Sequence, residues 1–352
     1  MLESAAMPRL ASLRTALPPH VVAQEEARRL CAEVYAGDPD LLRLLRVFSS
    51  CGVERRRTAF PLAYYREPRS FEVRNRDFAE KGLELAARAA REALEAARLR
   101  PEQVDHLLLA TTTGLATPSL DALLVAPLGL RRDVRRWPLF GLGCAGGVGA
   151  LGRAGDLLRG APRETALVIS VELCGQVFSH QARSPVDVVG VAIFGDGAAA
   201  AVVAGDEAEG VDGPRLLRSG SQLFEGSEAL MGWAFTSDGL RLVLSESITG
   251  LLKGRLRSAV EVALQGLGPP RHWALHPGGR RILETYAEAL GLGEEALGWA
   301  RRSLASIGNV SSASALFVLA DLAASGAVRP GERALAAAPG PGFGLETLVL
   351  QW

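Results

Sequence analysis

Gly143-Cys144-Ala145-Gly146-Gly147-Val148-Gly149-Ala150-Leu151 aligns with Gly308-Asn309-Val310-Ser311-Ser312-Ala313-Ser314-Ala315-Leu316. The offset is 309 − 144 = 165 residues, and it also pairs Asp156-Leu157 with Asp321-Leu322. A strand-like run follows in each copy, after Glu164 and after Glu332. Upstream, a helical run, a Pro-containing loop and a short strand lead to Thr111-Thr112-Thr113-Gly114 in one copy and to His276-Pro277-Gly278-Gly279 in the other. Repeated strand-loop-helix units predict two α/β halves packed about a pseudo-twofold axis. Such an axis sets two helix starts face to face and brings Cys144 and Asn309 into one site. The polar, Gly-rich stretch 205–213 marks the junction, so the halves are read as residues 1–210 and 211–352.

The remaining pattern fits this frame. Residues 8–16 read as a first strand, then helices over Val21–Tyr35 and Asp40–Phe48. Arg76–Leu99 is a long amphipathic helix, and Val104–Ala110 a strand. Thr117-Pro118 opens a helix that runs to Leu128, and Val134–Leu142 is a strand that delivers Cys144. Thr165–Val171 is a buried strand, Phe194-Gly195-Asp196-Gly197 a tight turn, and Ala198–Val203 another strand. In the second half, helices are expected over Gly250–Leu267, Arg280–Leu290 and Val310–Ala324. Strands are expected over His272–Leu275, Ala334–Ala338 and Leu345–Trp352.

Composition excludes several classes. The 352 residues are 48% hydrophobic, which supports a large core. Lys+Arg and Asp+Glu both number 39, so nothing in the charge balance points to nucleic acid. No apolar run reaches the ~18 residues of a membrane span. Met1–Arg9 lacks a basic region followed by an apolar core, so no signal peptide is expected. Four widely spaced cysteines, Cys31, Cys51, Cys144 and Cys174, argue against a disulfide or zinc framework and for a reducing cytoplasm. Arg43, Arg46 and Arg55 to Arg57 form a basic cluster, which suits a solvated surface or a phosphate-bearing ligand.

Cys144 sits among small residues at a helix start, where the positive end of the helix dipole favours a thiolate. A nearby His would lower its pKa further by ion pairing. His276 ends a strand, where functional residues concentrate. Asn309 could merely cap its helix. Its neutral amide is equally a donor for an oxyanion. Together, Cys, His and Asn suit a reaction that builds negative charge on a thioester oxygen.

These blocks, with Phe194-Gly195-Asp196-Gly197-Ala198-Ala199 and Gly340-Pro341-Gly342, resemble the chalcone synthase-like type III polyketide synthases of the thiolase-fold superfamily. Gly52-Val53-Glu54-Arg55-Arg56 and Met231-Gly232-Trp233 resemble the bacterial branch. The resemblance implies an α/β thiolase-like fold, two pseudo-equivalent halves in αβαβα layers. It implies that Cys144 takes a starter acyl group from coenzyme A. His276 would hold the thiolate as an ion pair, and His276 and Asn309 would polarise malonyl-CoA as it loses carbon dioxide. The resulting enolate would attack the Cys144-bound acyl group, with no metal or organic cofactor. Phe194, Leu242, Val177, Thr112, Thr117 and Ser311 are implied around the substrate pocket, and Thr117 at a homodimer interface. Arg43, Arg46 and Arg55 are implied at the coenzyme A phosphates, with Ser50 replacing a further basic position. Leu242 replaces a family aromatic and Val177 a polar residue of some plant members, which implies a roomier, more apolar pocket.

Two other readings use the same residues. A β-ketoacyl-carrier protein synthase of type III shares fold and triad, but usually has a different sequence where His276-Pro277-Gly278-Gly279 stands. Papain-like cysteine hydrolases have Cys, His and Asn in this order, but place the Cys near the mature N-terminus.

Overall fold

The computed structural model describes residues 7–181 and 183–352. Residues 1–6 of the segment read for a signal peptide lie outside them. The strands sort into two sets. The first has the order β5 (Arg135–Leu139), β4 (His106–Ala110), β6 (Thr165–Leu173), β7 (Asp196–Ala204), β1 (Arg9–Ala16). The second has the order β8 (Arg215–Leu223), β13 (Gly344–Gln351), β12 (Arg333–Gly340), β11 (His272–Leu275). One residue pair, Arg9 with Arg215, joins β1 to β8.

The repeat is visible in the pairing. β4 runs parallel to β6, and β11 runs parallel to β12. β6–β7 and β12–β13 are antiparallel, as are β7–β1 and β13–β8. Only β5 lacks a counterpart in the second set.

Alternation along β7 shows why its residues are all small or branched. Ala198, Ala200 and Val202 face one core, and Ala199, Ala201 and Val203 face the other. A strand buried on both faces reads as a continuous apolar run. On the first side lie α4 (Phe71–Ala96) and α5 (Leu120–Leu128). Between the two sets lie α6 (Gly146–Arg159) and α11 (Ser314–Ala324), which touch strands of both. Beyond the second set pack α8 (Ile248–Leu264) and α9 (Arg280–Leu290). The layers are therefore αβαβα, the thiolase-like arrangement.

Small residues let the central helix starts meet. A Cβ on Gly147 would stand 2.2 Å from the Ser312 carbonyl oxygen, and one on Gly146 would stand 3.1 Å from the Ser312 Cβ. Gly143 has φ +48, with Pro341 packed where its side chain would be.

Several local expectations change. Residues 20–23 form β2 (His20–Ala23), paired with β3 (Arg55–Thr58), so the first helix, α1, covers only Gln24–Val34. Two short helices, α2 (Pro39–Leu44) and α3 (Val47–Ser50), replace the single helix over 40–48. The long helix α4 starts five residues early, because Ser70 accepts from the Val73 N–H as its cap. Pro118 precedes α5 rather than opening it. Phe194 ends a helix, α7 (Pro185–Ile193), and Asp196 already belongs to β7. α7, α10 (Glu294–Ile307), β8 and the hairpin of β9 (Met231–Thr236) and β10 (Gly239–Leu244) are not expected from the sequence.

Candidate active site

The site lies where the two central helix starts converge. Cys144 occupies a single tight turn, Gly143–Ala145, that leads directly into α6. Asn309 precedes the equivalent turn, Ser311–Ala313, that leads into α11. The Cys144 Sγ lies 3.8 Å from the Ser311 Oγ, and only 3% of the cysteine is exposed. Ser311 adopts φ +44, an uncommon conformation for a residue with a side chain. Asn309 Oδ1 accepts from the Ser311 N–H at 2.8 Å and from the Ser314 hydroxyl at 3.3 Å. With its oxygen so engaged, Asn309 turns its Nδ2 donor towards the His276 loop, 3.4 Å from the Gly278 carbonyl.

His276 is held from behind by β12, its backbone N–H donating to the Ala337 carbonyl at 2.9 Å. The ring is buried and its Nδ1 has no partner. An orphaned polar atom in an enclosed site needs an explanation, and a substrate or a transferred proton supplies one. Burial pushes the Cys144 thiol up to about 12, with the Ser311 hydroxyl opposing that rise. Burial pushes the His276 imidazole down to about 3. Desolvation thus outweighs the hydrogen bonds to the thiol, and each group alone is neutral at rest. Two opposite charges formed together compensate what each would cost singly.

Behind the site stands Glu172, which the sequence reading passed over. It is fully buried at the end of β6. Its Oε2 accepts from the Thr112 and Thr113 N–H groups, both at 3.1 Å, and from the Thr113 hydroxyl at 2.7 Å. Its Oε1 accepts from the Ser312 hydroxyl. One carboxyl group therefore ties the Thr111–Thr113 loop of the first half to the Asn309 turn of the second. A charged residue inside an apolar strand was the available signal.

Burial raises the Glu172 pKa to about 7 from the usual 4.5. A carboxyl whose folded pKa is raised stabilises the fold below the unfolded pKa, and that contribution is lost as pH rises through the folded value. Stability is expected to fall by roughly 3 kcal/mol between about pH 4.5 and 7.5 from this group. Urea unfolding of the wild type and Glu172→Gln across that range checks it: the variant should lose Glu172's share of the slope and keep that of Asp196, which burial raises to about 6.

A cavity of about 90 Å³ opens against Phe194, whose backbone bridges to Asn309; Cys144, His276, Asn309 and Ser311 do not line it. Phe194, Val177 and Leu242 line it together, as do Trp233, Cys174 and Leu30. Thr112 touches it indirectly, accepting from the Trp233 Nε1 at 3.0 Å. The Phe194 and Trp233 rings stand 6.5 Å apart between centroids. Trp233 is thus a pocket residue that the sequence reading used only as a family landmark.

The arginines separate. Arg43 is exposed and paired with Asp40 at 3.2 Å, and Arg55 is exposed on β3. Arg46 is exposed on a surface groove with Leu45, Phe48 and Val53. Arg56 is 4% exposed, so it does not belong to the solvent-facing cluster expected from the sequence. Thr117 is exposed, outside the cavity.

An α/β protein with paired halves and a cysteine buried at a central helix start has the architecture of thiolase-like acyl-transferring enzymes. Residues 59–207 match the family model for the N-terminal domain of chalcone and stilbene synthases, and residues 216–352 match that for the C-terminal domain. The chain belongs to the chalcone and stilbene synthase family. It is similar to a 1,3,6,8-tetrahydroxynaphthalene synthase of Streptomyces peucetius subsp. caesius, with 39% identity across 97% of this chain and 93% of the relative. It is also similar to the alpha-pyrone synthesis polyketide synthase-like Pks18 of Mycobacterium tuberculosis, with 32% identity across 87% of this chain and 81% of that one. The crystal structure of 1,3,6,8-tetrahydroxynaphthalene synthase from Streptomyces coelicolor A3(2), a bacterial type III polyketide synthase, superposes with a TM-score of 0.91. That match has 28% identity and covers 98% of this chain and 99% of the other. The protein is a type III polyketide synthase, an acyltransferase acting on acyl-CoA and malonyl-CoA.

Proposed function

We propose that Cys144, His276 and Asn309 carry the reaction, and that it joins a short acyl starter to malonyl-CoA extender units. The convergence of the three through Ser311 and Gly278 carries this reading. Cys144 passes its proton to His276 and attacks the starter thioester; coenzyme A leaves as the thiol. Malonyl-CoA then enters beside His276 and Asn309, whose N–H donors stabilise the negative charge on its thioester oxygen as carbon dioxide departs. The enolate carbon bonds to the acyl carbon, and the Cys144 sulfur leaves. Burial serves this chemistry, since a dry site strengthens every hydrogen bond to developing charge.

The cavity is small despite Leu242 and Val177, against the roomier pocket expected from those two residues, and its size supports a short starter and a compact pyrone, resorcinol-like or related aromatic product. A void of about 90 Å³ is smaller than the ~150 Å³ that accepts benzene in an engineered apolar cavity. A panel of acyl-CoA starters of increasing length, incubated with malonyl-CoA and read by mass spectrometry, tests it. Preference for long acyl chains overturns the short-starter reading. A strict requirement for malonyl-carrier protein favours a fatty-acid initiation enzyme, and peptidase activity without malonyl-CoA turnover favours a hydrolase.

Arg43, Arg46 and Arg55 remain our candidates for the coenzyme A phosphates. Exposure of all three supports this, and Arg46 lines an open groove of about 640 Å³. Four free thiols suit a reducing cytoplasm.

We also infer a homodimer. β5 ends the sheet with one side unpaired, and Trp137 on it and Phe140 just beyond are 42% and 46% exposed. Bare edges of this kind invite a second strand. Trp137→Lys is expected to shift the protein from dimer to monomer in sedimentation velocity at micromolar concentration. An unchanged dimer removes β5 from the interface.

A further inference from the structure

We propose that Arg56 is a positioning residue for the condensation site, fixing the segment Ile193–Gly195 to which Asn309 is hydrogen-bonded. This rests on the reading of Asn309 as a donor to malonyl-CoA. Arg56 lies on β3, remote in sequence from every triad residue, and its side chain is buried. A buried guanidinium normally finds a carboxylate. This one gives its bonds to uncharged oxygens instead. Nη1 donates to the Val191 carbonyl and to the Phe194 carbonyl at 3.1 Å. Nη2 donates to the Ala192 carbonyl at 2.9 Å and to the Gln24 side-chain oxygen.

Two of these acceptors, Val191 and Ala192, are carbonyls that the last turn of α7 leaves unpaired, and the third belongs to the cap residue Phe194, where a cation is favoured. One rigid fork thus clamps the last helical turn to the residue after it. Gln24 braces the clamp, its own Nε2 donating to the Ala192 and Phe48 carbonyls at 3.0 and 3.1 Å. The clamped segment bears directly on the site. Asn309 donates its backbone N–H to the Ile193 carbonyl at 2.7 Å, and Gly195 donates to the Asn309 carbonyl at 2.9 Å. Phe194, between them, presents its ring to the cavity. Arg56 also packs beneath the loop: a Cβ on Gly308 would stand 3.5 Å from the Arg56 Cβ. A lysine carries the charge but is a single point, so it cannot span the Val191 and Phe194 carbonyls as the fork does.

Cys144 lies on the opposite turn and shares none of these bonds, so the two half-reactions should separate. Arg56→Met and Arg56→Lys are compared with wild type and Asn309→Ala. Starter loading on Cys144 is read by intact-protein mass, and malonyl-CoA decarboxylation by acetyl-CoA release. In folded Arg56 variants, decarboxylation is expected to fall at least tenfold while loading stays within threefold. Equal losses in both steps, or no loss, overturn the proposal. Failure of both variants to fold also overturns it, because Arg56 would then serve the fold alone. If Asn309→Ala keeps its decarboxylation, the donor reading fails and the Arg56 proposal falls with it. If Asn309→Ala loses it and folded Arg56 variants do not, only the Arg56 proposal fails.

Discussion

Cys144→Ala is expected to fold normally and to make no polyketide. The two outcomes separate because the thiol contributes little to packing. Its polar contacts are weak, a 3.8 Å approach to the Ser311 hydroxyl and a contact with the Asn309 side chain, and alanine already follows it at 145. Losing a single buried sulfur should cost about 1 kcal/mol. Chemistry loses far more. Without the sulfur there is no acyl-enzyme, and condensation then has no electrophile held beside the enolate. Removing a covalent nucleophile typically costs more than about a thousandfold. Malonyl-CoA decarboxylation should persist, since His276 and Asn309 are untouched. The checks are mass spectrometry for a starter adduct, product assay with malonyl-CoA, and acetyl-CoA release. Product from the variant would sink the nucleophile assignment.

The placement of Cys144 opposite Asn309 was readable in the sequence because the repeat did geometric work. A 165-residue offset pairing Cys144 with Asn309 predicted opposed helix starts, and Gly147 against Ser312 is that opposition at atomic distance. Strand His272–Leu275 and helix Arg280–Leu290 have the bounds their patterns predicted, because apolar periodicity and Gly or Pro punctuation agree there. The phosphate-cluster reading of Arg55 to Arg57 failed at its middle residue. Alternation on β3 turns Arg56 inward while its neighbours stay outside, and residue type alone cannot show this in a four-residue strand. The β9–β10 hairpin was missed because it packs on side chains such as Thr112, whose distance along the chain hides the contact. Glu172 was overlooked for the same reason: its partners lie 59 to 140 residues away.

His276→Ala should disable the site in a different way, through the proton rather than the bond. Cys144 is buried so deeply that its thiol, unaided, sits near 12. At pH 7 such a thiol is about one part in a hundred thousand thiolate. The imidazole is equally disfavoured as a cation on its own, at about 3. Proton transfer between them makes both charges at once, so each offsets the desolvation of the other. Removing the imidazole leaves only the lone-thiol route. Alkylation of Cys144 by iodoacetamide at pH 7 should therefore slow at least a hundredfold in His276→Ala. The residual rate should climb about tenfold per pH unit up to pH 9, as expected of a thiol titrating above that range. Wild type should alkylate faster and depend less steeply on pH. Cys144→Ala, carried as a blank, corrects for Cys31, Cys51 and Cys174, which are also free. Equal rates in wild type and variant would mean that His276 takes no proton from Cys144. The histidine would then act only as a donor to the malonyl thioester, and the thiolate would have to come from the helix start and Ser311 alone.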